Sequence, residues 1–294
     1  MERYRDMQLF AALAGQTSLA SAARSAQVSG PTLVRAVARL EARLRVALLA
    51  RSTRGVNLTD AGHAYLADCV HLLAAVDAAE ASAKGLHVQA QGNLRVFMPL
   101  LFSRYVMAPL LASYMDRYPA VQLTAHYHDY YPNLHEEGLD VAILVGELPS
   151  SSLIARPVGH VRQILCASPD YLATHGEPRH PDDLKQHRLI ANANPVHWEF
   201  QGCQLKARAR LSCATVQGAI NAALHGTGLV RCLSYPVHEH LLGGQLCRLL
   251  PSYEPAPLPV HVVYRGGRHA PMRVRSFVDH CVAALREHSA FQLA

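Results

Sequence analysis

Apolar residues recur at intervals of three and four along the first fifty positions of the chain, and they form two separate runs. The first run follows Thr17 and Ser18, either of which can cap a helix, and the second follows the cap Ser29, with Pro31 in the first helical turn. The pattern therefore predicts two short helices joined by a tight turn. Their predicted inner faces are Leu19, Ala22, Ala23 and Ala26 in the first helix, and Leu33, Val37, Leu40 and Leu44 in the second.

The second of these helices also has a basic face, because Arg35, Arg39 and Arg43 are spaced by four. Within residues 1–60, nine arginines and only four acidic residues account for +5 of the formal net charge of +6. A basic module on a nearly neutral body favours contact with a polyanion, and a helix pair with a basic flank can enter the DNA major groove. An ordinary amphipathic helix pair with a solvated basic side is the alternative.

A longer helical pattern runs from the cap Thr59 to about Leu86. Its apolar residues cover a broad side, so this helix must pack on a partner, either another subunit or the core of a single larger domain. Glycines and polar residues between Lys84 and Asn93 then predict a hinge.

From Leu94 onward, apolar runs of strand length alternate with amphipathic helical patterns. Strands are predicted at 94–99, 121–128, 139–146, 162–169 and 188–192, with the first helix at 102–118. This alternation predicts an α/β fold with a mainly parallel sheet.

Length and composition restrict the class of protein. A chain of 294 residues, half of them apolar, is long enough for about two domains. Seven cysteines without a C-x-x-C spacing fit a reducing, cytoplasmic environment. No apolar run has the length of a membrane span, and the first fifteen residues contain too short an apolar stretch for a signal peptide.

Residues 18–62 closely resemble the winged helix-turn-helix of the bacterial LysR-type transcriptional regulators. The matching pieces are SLASAAR, VSGPTLVRAVARLE, RSTR and NLTDAG, and a looser resemblance continues to about Leu285. The resemblance implies an α/β protein overall, with a winged helix-turn-helix at 1–60, a linker helix and hinge at 61–89, and an effector-binding domain at 90–294. That domain would comprise two α/β subdomains resembling type 2 periplasmic solute-binding proteins. Subdomain I would cover about 90–163 and 265–294, and subdomain II about 164–264.

The resemblance also implies which residues contact DNA. Gly30 and Val34 stand where glutamine and serine are common in the family, and neither can form the bidentate hydrogen bonds that read a base edge. Specificity therefore falls more on Arg35, Arg39 and DNA shape, although Arg35 could equally contact a phosphate. The implied contacts are Ser29, Gly30, Pro31, Thr32, Val34, Arg35, Arg51 and Arg54, to which the basic helix face adds Arg39.

The same resemblance implies that the linker helix forms a homodimer, and that effector domains join dimers into a homotetramer. The dimer contacts would be Tyr65, Leu66, Val70 and Leu73. The expected partners are double-stranded promoter DNA, a small-molecule effector and, as a further candidate, RNA polymerase.

Ligands of such sheets bind beyond the carboxyl ends of the strands. Leu101 stands where the family often has serine or threonine, which favours an effector with apolar or aromatic bulk. Ser103 either caps the following helix or holds a ligand carboxylate. The candidate effector contacts are Leu100, Leu101, Phe102, Ser103, Asp129, Val145, Gly146, Thr215 and Arg231.

Arg231 has two interpretations. It follows the G-T-G-L-V run at a strand end, where it either neutralises an anionic ligand or forms a salt bridge between subdomains with Asp129 or Glu147. Tyr130 is a further candidate for the cleft by its position, although the cluster of Tyr127, Tyr130 and Tyr131 is expected to pack at a domain edge rather than form a stacking platform. Trp198 is expected to anchor the core of the second subdomain.

Other kinds of site find less support. The histidine pairs of this chain lack the spacing of a complete metal-ligand set, so neither a metal nor another cofactor is expected. Cys203 and Cys213 lie in the half of the chain where some regulators of this family sense peroxide, and redox sensing is kept as an alternative. No motif of a hydrolase, kinase or metalloprotease is present, so an enzyme is not expected, and a cytosolic solute-binding protein would leave the basic module unused. The sequence thus predicts a sequence-specific DNA-binding regulator that a small molecule switches.

Overall fold

The computed structural model describes residues 2–13, 16, 18–52, 55–83, 89–192, 195–266 and 270–291. Both predicted caps of the N-terminal helices are confirmed, because the side chain of Ser18 accepts from the N–H of Ser21 (3.1 Å) and that of Ser29 from the N–H of Thr32 (3.3 Å). The N-terminal elements are α1 (Glu2–Ala11), α2 (Leu19–Ser25), α3 (Gly30–Leu44) and the antiparallel hairpin β1 (Leu49–Ser52) and β2 (Gly55–Leu58).

The predicted apolar stripe of α3 is buried over most of its length. Leu33, Val37 and Leu40 are at most 3% exposed, but Leu44 is 39% exposed. The stripe ends early because α3 stops at Leu44 and the next residue, Arg45, adopts a left-handed conformation that turns the chain away. Leu44 therefore does not belong to the core, contrary to the sequence prediction.

The long helix α4 (Asp60–Ala83) follows the hairpin, and Thr59 caps it by accepting from the N–H of Gly62 (2.9 Å). The last predicted helical positions, 84–86, lie outside the described residues. Leu66 packs in the core shared with α1 and α3 and is 9% exposed, and Tyr65 and Val70 pack partly against the same core. Leu66 was predicted as a dimer contact, but its side chain is buried within its own chain, because this part of α4 packs against Met7 and Phe10 of α1 and against α3.

The first of two five-stranded sheets has the strand order β4-β3-β5-β14-β6. Its core lies against α5, which a π-helical turn at Ser103–Met107 precedes, and against the last helix, α9. The elements are β3 (Gly92–Met98), β4 (Val121–Tyr127), β5 (Val141–Val145), β6 (Ile154–Val161), β14 (Leu258–Tyr264), α5 (Ala108–Arg117) and α9 (Met272–Glu287).

The second sheet has the order β11-β8-β12-β7-β13, and a separate hairpin, β9 with β10, packs beside it. The elements are β7 (Gln163–Ala167), β8 (Leu189–Ala191), β9 (Val196–Phe200), β10 (Cys203–Ala207), β11 (Leu211–Ser212), β12 (Leu229–Leu233) and β13 (Cys247–Leu249), with the helices α6 (Pro169–His175), α7 (Val216–Leu224) and α8 (His238–Leu242).

Both sheets are mixed, which corrects the prediction of a mainly parallel sheet. Strand β3 is parallel to β4 and β5, and β8 is parallel to β11 and β12, whereas β14 and β7 run antiparallel to both of their neighbours. The antiparallel strands are the ones on which the chain enters each sheet from the other sheet, and they therefore arrive from the opposite direction.

The two crossings set the limits of the two subdomains. The chain leaves the first sheet at Arg162, between β6 and β7, and has returned by Leu258, where β14 begins. The predicted return near Tyr264 is therefore too late, because the apolar run 258–264 belongs to the first sheet. Across the described ranges, no helix combines the length and the apolar character that a membrane span requires.

Candidate DNA-binding surface and ligand cleft

The exposed surface of the helix-turn-helix lies at the start of α3. Val34 is 39% exposed and Arg35 is exposed beside it, with the Nε of Arg35 donating to the carbonyl of Pro31 (3.3 Å). Gly30 has open space where a Cβ would stand, with no other atom within 4 Å. Ser29 and Thr32 join their hydroxyls at 2.7 Å on the same turn. These predicted contacts are thus brought together on one solvent-facing turn, where a helix N-terminus offers N–H groups to a phosphate.

Arg39 differs from Arg35, although both lie on the predicted basic face. Its Nε and Nη2 donate to the two carboxylate oxygens of Asp6 (3.0 and 2.5 Å), and the side chain of Asp6 is only 3% exposed. The hydrogen bond with Asp6 raises the pKa of Arg39. The guanidinium therefore ties α3 to α1, and a DNA phosphate would have to compete with a bidentate partner. The geometry gives Arg39 a structural role that the sequence interpretation did not include, and its contact with DNA stays a prediction.

The NLTDAG stretch holds the hairpin against the helices. Thr59 donates its hydroxyl to the carbonyl of Ala47 (2.7 Å), and a Cβ at Gly62 would overlap the carbonyl of Leu48. Glu41 of α3 accepts from the N–H groups of Leu48 and Leu49 (2.8 and 3.0 Å). These contacts hold the β1–β2 hairpin, which is the wing of the helix-turn-helix, in a fixed orientation against α3 and α4. Arg51 lies on β1, but its side chain and the whole of Arg54 are outside the described residues.

A cleft with a cavity of about 580 Å³ lies between the two sheets. The carboxyl ends of the parallel strands β3, β4, β5, β8 and β12 open toward it, which is the expected position for a ligand in such sheets. Its lining residues from the first sheet are Phe97, Pro99, Leu101, His128, Asp129, Tyr130, Tyr131, Ile143, Leu144 and Val145. Those from the second subdomain are Gln163, Ala191, Asn192, Val196, His197, Trp198, Val216, Arg231, Cys232, Leu233, Tyr235 and Pro236.

The predicted effector contacts divide into two groups. Leu101, Asp129, Val145 and Arg231 line the cavity. Leu100, Phe102, Ser103, Gly146 and Thr215 are not among its lining residues.

Phe102 corrects a prediction, because it is fully buried and packs against Tyr235 and Phe291 with ring centroids 4.6 and 5.7 Å away. The helical turn that begins at Phe102 directs its side chain into the core of the first subdomain. Ser103 donates to the carbonyl of Leu100 (2.8 Å) and does not cap the turn. Thr215 does cap α7, accepting from the N–H of Gly218 (3.1 Å).

Aromatic side chains form much of the cleft, and the sequence interpretation missed most of them. Phe97, His128 and Tyr130 pack together, with ring centroids 5.2 Å apart for Phe97 and Tyr130 and 5.3 Å apart for His128 and Tyr130. Tyr130, a cleft candidate by position, and Tyr131, expected only at a domain edge, both line the cavity, because the chain leaves β4 at Tyr127 and continues along the carboxyl edge of the sheet. The sequence signal that could have placed these side chains in the cleft was their position directly after the predicted strand at 121–128.

Trp198 lines the cavity from the second subdomain and also packs partly against that subdomain's core. The expectation that it anchors this core therefore describes only part of its surroundings.

Arg231 is a partly buried cation within this cleft. Its guanidinium donates to the carbonyl of Glu199 and lies 4.9 Å from the centroid of the Phe200 ring. Burial lowers the pKa of Arg231 to about 10, so the group remains charged at neutral pH. Glu199 and Glu254 interact electrostatically with Arg231 and act to raise its pKa. Among the described residues neither they nor Asp129 or Glu147 forms a salt bridge with it, so the alternative of a bridge to Asp129 or Glu147 is not realised.

The predicted cysteine pair is not brought together. Cys203 packs partly against one core cluster of the second subdomain, and Cys213 against the other. Cys166 and Cys232 are the neighbouring buried thiols, and the hydrogen bond between them, together with burial, raises the pKa of Cys232. A protonated buried thiol is a poor nucleophile.

Within the ranges that the structure describes, no three potential metal ligands cluster.

Comparison with known families covers nearly the whole chain. Residues 4–63 match the model of the bacterial regulatory helix-turn-helix protein, lysR family, and residues 87–286 match the LysR substrate binding domain. A transcriptional repressor of Pseudomonas aeruginosa is 33% identical over 302 residues, which cover 100% of this chain and 95% of that protein. The transcriptional activator AaeR of Escherichia coli is 29% identical, with 95% and 93% covered.

Solved full-length structures agree with these matches. The virulence activator AphB of Vibrio cholerae superposes with a TM-score of 0.61 at 27% identity, covering 95% of this chain and 98% of AphB. CrgA of Neisseria meningitidis gives 0.62 at 29% identity, covering 96% and 98%. LysG of Corynebacterium glutamicum, solved with arginine bound as its effector, gives 0.66 at 15% identity over 97% and 98%, a likeness of fold.

Proposed function

Since this chain belongs to the LysR family of bacterial transcriptional regulators, we propose that it is a switch in which a ligand held between the two sheets controls how the exposed turn of α3 engages promoter DNA. The observation that carries this proposal is the presence, in one chain, of a solvent-facing α3 N-terminus and a 580 Å³ cleft at the carboxyl ends of two sheets. Its action is binding without a catalytic step, and its place is the cytoplasm, where promoter DNA is found.

Different residues of the α3 turn have different tasks in this proposal. Arg35 and Val34 face the base edges, where arginine pairs with guanine and valine meets a thymine methyl. Ser29 and Thr32 lie at the phosphate backbone, as do Arg51 and Arg54 of the wing. Gly30 and Pro31 let the backbone approach the DNA closely.

Oligomerisation would occur through α4 and then through the effector domains. Leu72 and Val76 of α4 are 55% and 38% exposed, and apolar side chains at this spacing can pair two helices. Leu73, which is half-buried, lies beside them. A dimer places two recognition helices about 34 Å apart, one helical turn of DNA. Ligand-dependent rearrangement of two such dimers would change how the promoter is bent and presented to RNA polymerase.

The coupling between ligand and DNA need not be large. A coupling free energy of about 1–3 kcal/mol changes DNA affinity roughly 5- to 150-fold. Closing a cleft between two subdomains joined by only two crossings is a motion that can supply it.

The test is footprinting and fluorescence anisotropy of the full-length protein on DNA upstream of its own gene, at two salt concentrations. We expect two protected patches separated by a whole number of helical turns, with affinity falling steeply as salt rises. Absence of protection on this DNA and on genomic fragments, from a folded oligomer at low salt, would contradict the proposal.

Arg35→Ala and Arg39→Ala form a matched pair for the same assay. Arg35→Ala should weaken binding to the specific site about 10- to 100-fold and leave the melting temperature unchanged. Arg39→Ala should instead lower the melting temperature, because it leaves the carboxylate of Asp6 buried without its partner. An equal loss on specific and random DNA for Arg35→Ala would assign this arginine to a phosphate.

A further inference from the structure

The charge distribution of the cleft is asymmetric. Arg231, on the second subdomain, is a partly buried cation that donates to one backbone carbonyl and lies over one aromatic ring. The charges of Glu199 and Glu254 act to raise its pKa, against the larger effect of burial, but neither carboxylate forms an ion pair with it among the described residues. A guanidinium has five N–H donors in a planar fork that fits a carboxylate. Its remaining donors are therefore the strongest feature of the cleft for recognising an anion.

The opposite wall has a negative charge. Asp129 lines the cavity from the first subdomain, and one of its carboxylate oxygens accepts from the N–H of Leu100 (3.0 Å). A ligand anion would be repelled at Asp129 and attracted at Arg231, so only one orientation across the cleft is favourable. The anionic end belongs at the second subdomain and the other end at the first.

The wall that receives the other end is aromatic. The ring of Phe97 is edge-to-face with that of Tyr130, and the hydroxyl of Tyr130 donates to Glu137 (2.6 Å), which fixes the orientation of its ring. Tyr131 is half-exposed beside it in the same cavity. Aromatic side chains that are held in place stabilise a bound aromatic ring beyond the effect of burial alone, through offset and edge-to-face contacts.

The volume restricts the size of the ligand. A dry cavity of about 150 Å³ holds benzene, and this cleft, at about 580 Å³, is several times larger. The ligand therefore extends beyond one bare ring, by a side chain or by a second ring.

We propose that the effector is an aromatic carboxylate in which a short chain or second ring separates the carboxylate from an aromatic end, with the carboxylate on Arg231 and the aromatic end against Phe97, Tyr130 and Tyr131. This inference rests on the proposed function, in that the cleft is taken as the effector site. It adds the chemical class of the ligand and its direction in the cleft.

The chain contains its own reporter for the test, because its only tryptophan, Trp198, lines this cavity. Three probes absorb little light at the 295 nm excitation of tryptophan: 3-phenylpropanoate, its neutral isostere 3-phenylpropanamide, and its non-aromatic isostere 3-cyclohexylpropanoate. We expect 3-phenylpropanoate to change the Trp198 emission with a saturable isotherm and a Kd below about 1 mM. The amide should bind at least about tenfold more weakly and the cyclohexyl acid about threefold or more.

Arg231→Gln should abolish the preference for the acid over the amide, whereas Arg231→Lys should retain it at reduced strength, because lysine keeps the charge without the planar fork. Arg208→Gln is the matched control, since Arg208 is an exposed arginine of the same subdomain that does not line the cavity. It should leave all three isotherms unchanged. If Arg231→Gln does not fold, the wild-type isotherms and Arg231→Lys still decide the question.

Fluorescence anisotropy with promoter DNA, measured without ligand, distinguishes a failure of the ligand proposal from a failure of the proposed function. Wild-type protein that binds DNA but prefers the amide, or binds acid and amide equally, overturns the carboxylate proposal and leaves the proposed function intact. Equal affinity for the phenyl and cyclohexyl acids overturns the aromatic part alone. A protein that binds the acid but not any DNA overturns the proposed function instead.

Discussion

The two five-stranded sheets of this protein have the same arrangement but different chemistry at the shared cleft. In each, the first strand of the parallel group lies between the other two, and the strand that enters from the opposite subdomain runs antiparallel. At the common edge, the first subdomain contributes Asp129 and an aromatic group, and the second subdomain contributes Arg231 from its sheet and Trp198 from its hairpin.

This difference teaches that strand order and ligand chemistry are set by separate parts of the sequence. The order of strands determines where the carboxyl ends meet and hence where a cleft forms. The few residues directly after those ends determine which charge and shape it accepts. A regulator can thus keep its architecture while its ligand class changes.

The largest expected effect tests how tightly the second sheet is packed at the start of β12. An alanine Cβ at Gly228 would overlap the backbone carbonyl of Arg188, and that carbonyl already accepts from the N–H of Leu229 (2.8 Å). Since the obstacle is backbone within the sheet, Gly228→Ala should lower the free energy of unfolding by at least about 4 kcal/mol. Urea unfolding followed through Trp198, which reports on the second subdomain, measures this loss.

Gly30→Ala is the control for that experiment. Gly30 has no atom within 4 Å of the added Cβ, so the substitution should be neutral or slightly stabilising, since alanine favours the helix. A small effect of Gly228→Ala, close to that of Gly30→Ala, would show that the second sheet can spread to accept a methyl group.

The second-largest expected effect is on the free energy of unfolding, and it compares a buried carboxylate of the second subdomain with one of the first. Glu254, whose side chain is 4% exposed, accepts from Nε and Nη2 of Arg248 at 2.6 Å each. Asp140, in the first subdomain, accepts from the N–H of Arg95 at 2.9 Å and is 3.8 Å from Arg273. Because charged bidentate bonds are the stronger ones, Glu254→Gln should cost about 3 kcal/mol of unfolding free energy and Asp140→Asn about 1–2 kcal/mol. Chemical denaturation of both variants checks the order, and the reverse order would show that the first subdomain depends more on its carboxylate.

The smallest expected effect is on the pH dependence of the folding stability. Burial, followed by the positive charge of Arg95 and by His128, lowers the pKa of His126 in the first sheet, and its Nε2 has no hydrogen-bond partner in the described part of the chain. A histidine with a lowered folded pKa binds fewer protons in the folded state, so its contribution is complete above the unfolded value near 6.5 and is lost as pH falls below it.

His126→Leu should therefore reduce the loss of stability between pH 7 and pH 5, by about 0.5 kcal/mol or less, because solvent screens a partly exposed ring. Thermal unfolding at several pH values gives the slope. The equivalent change at His187, whose pKa burial also lowers but whose Nδ1 lies 3.2 Å from the hydroxyl of Tyr171, is the comparison in the second subdomain. An unchanged slope in His126→Leu would show that this histidine does not contribute to the pH dependence.

The sequence predicted local features well, because their causes lie within a few residues. The caps Ser18 and Ser29 follow from short-range hydrogen bonding, and the spacing of Leu33, Val37 and Leu40 follows from the helical repeat. The structural role of Arg39 was missed because its partner, Asp6, lies 33 residues away, and spacing along one helix carries no information about that partner.

The cleft was predicted less well, for a related reason. The corner after β3 was located correctly, but helical geometry directs Phe102 into the core and leaves Leu101 at the cavity. The strand at 258–264 was recognisable as apolar, yet only its pairing with β5 and β6 assigns it to the first sheet. The direction of a side chain and the pairing of a strand depend on residues far away in the sequence, and a local pattern does not reveal them.

The open space at Gly30 has a consequence for how this regulator can evolve. No atom lies within 4 Å of a Cβ added there, and Val34 is already 39% exposed, so we expect substitutions at either position to have little effect on folding. Both positions could therefore be substituted as the DNA target sequence changes, without a stabilising mutation elsewhere. Substitutions at Gly62 or in the Arg39–Asp6 pair would instead destabilise the fold. Two positions of the predicted DNA-binding surface are thus free of the packing constraints that fix the rest of the module.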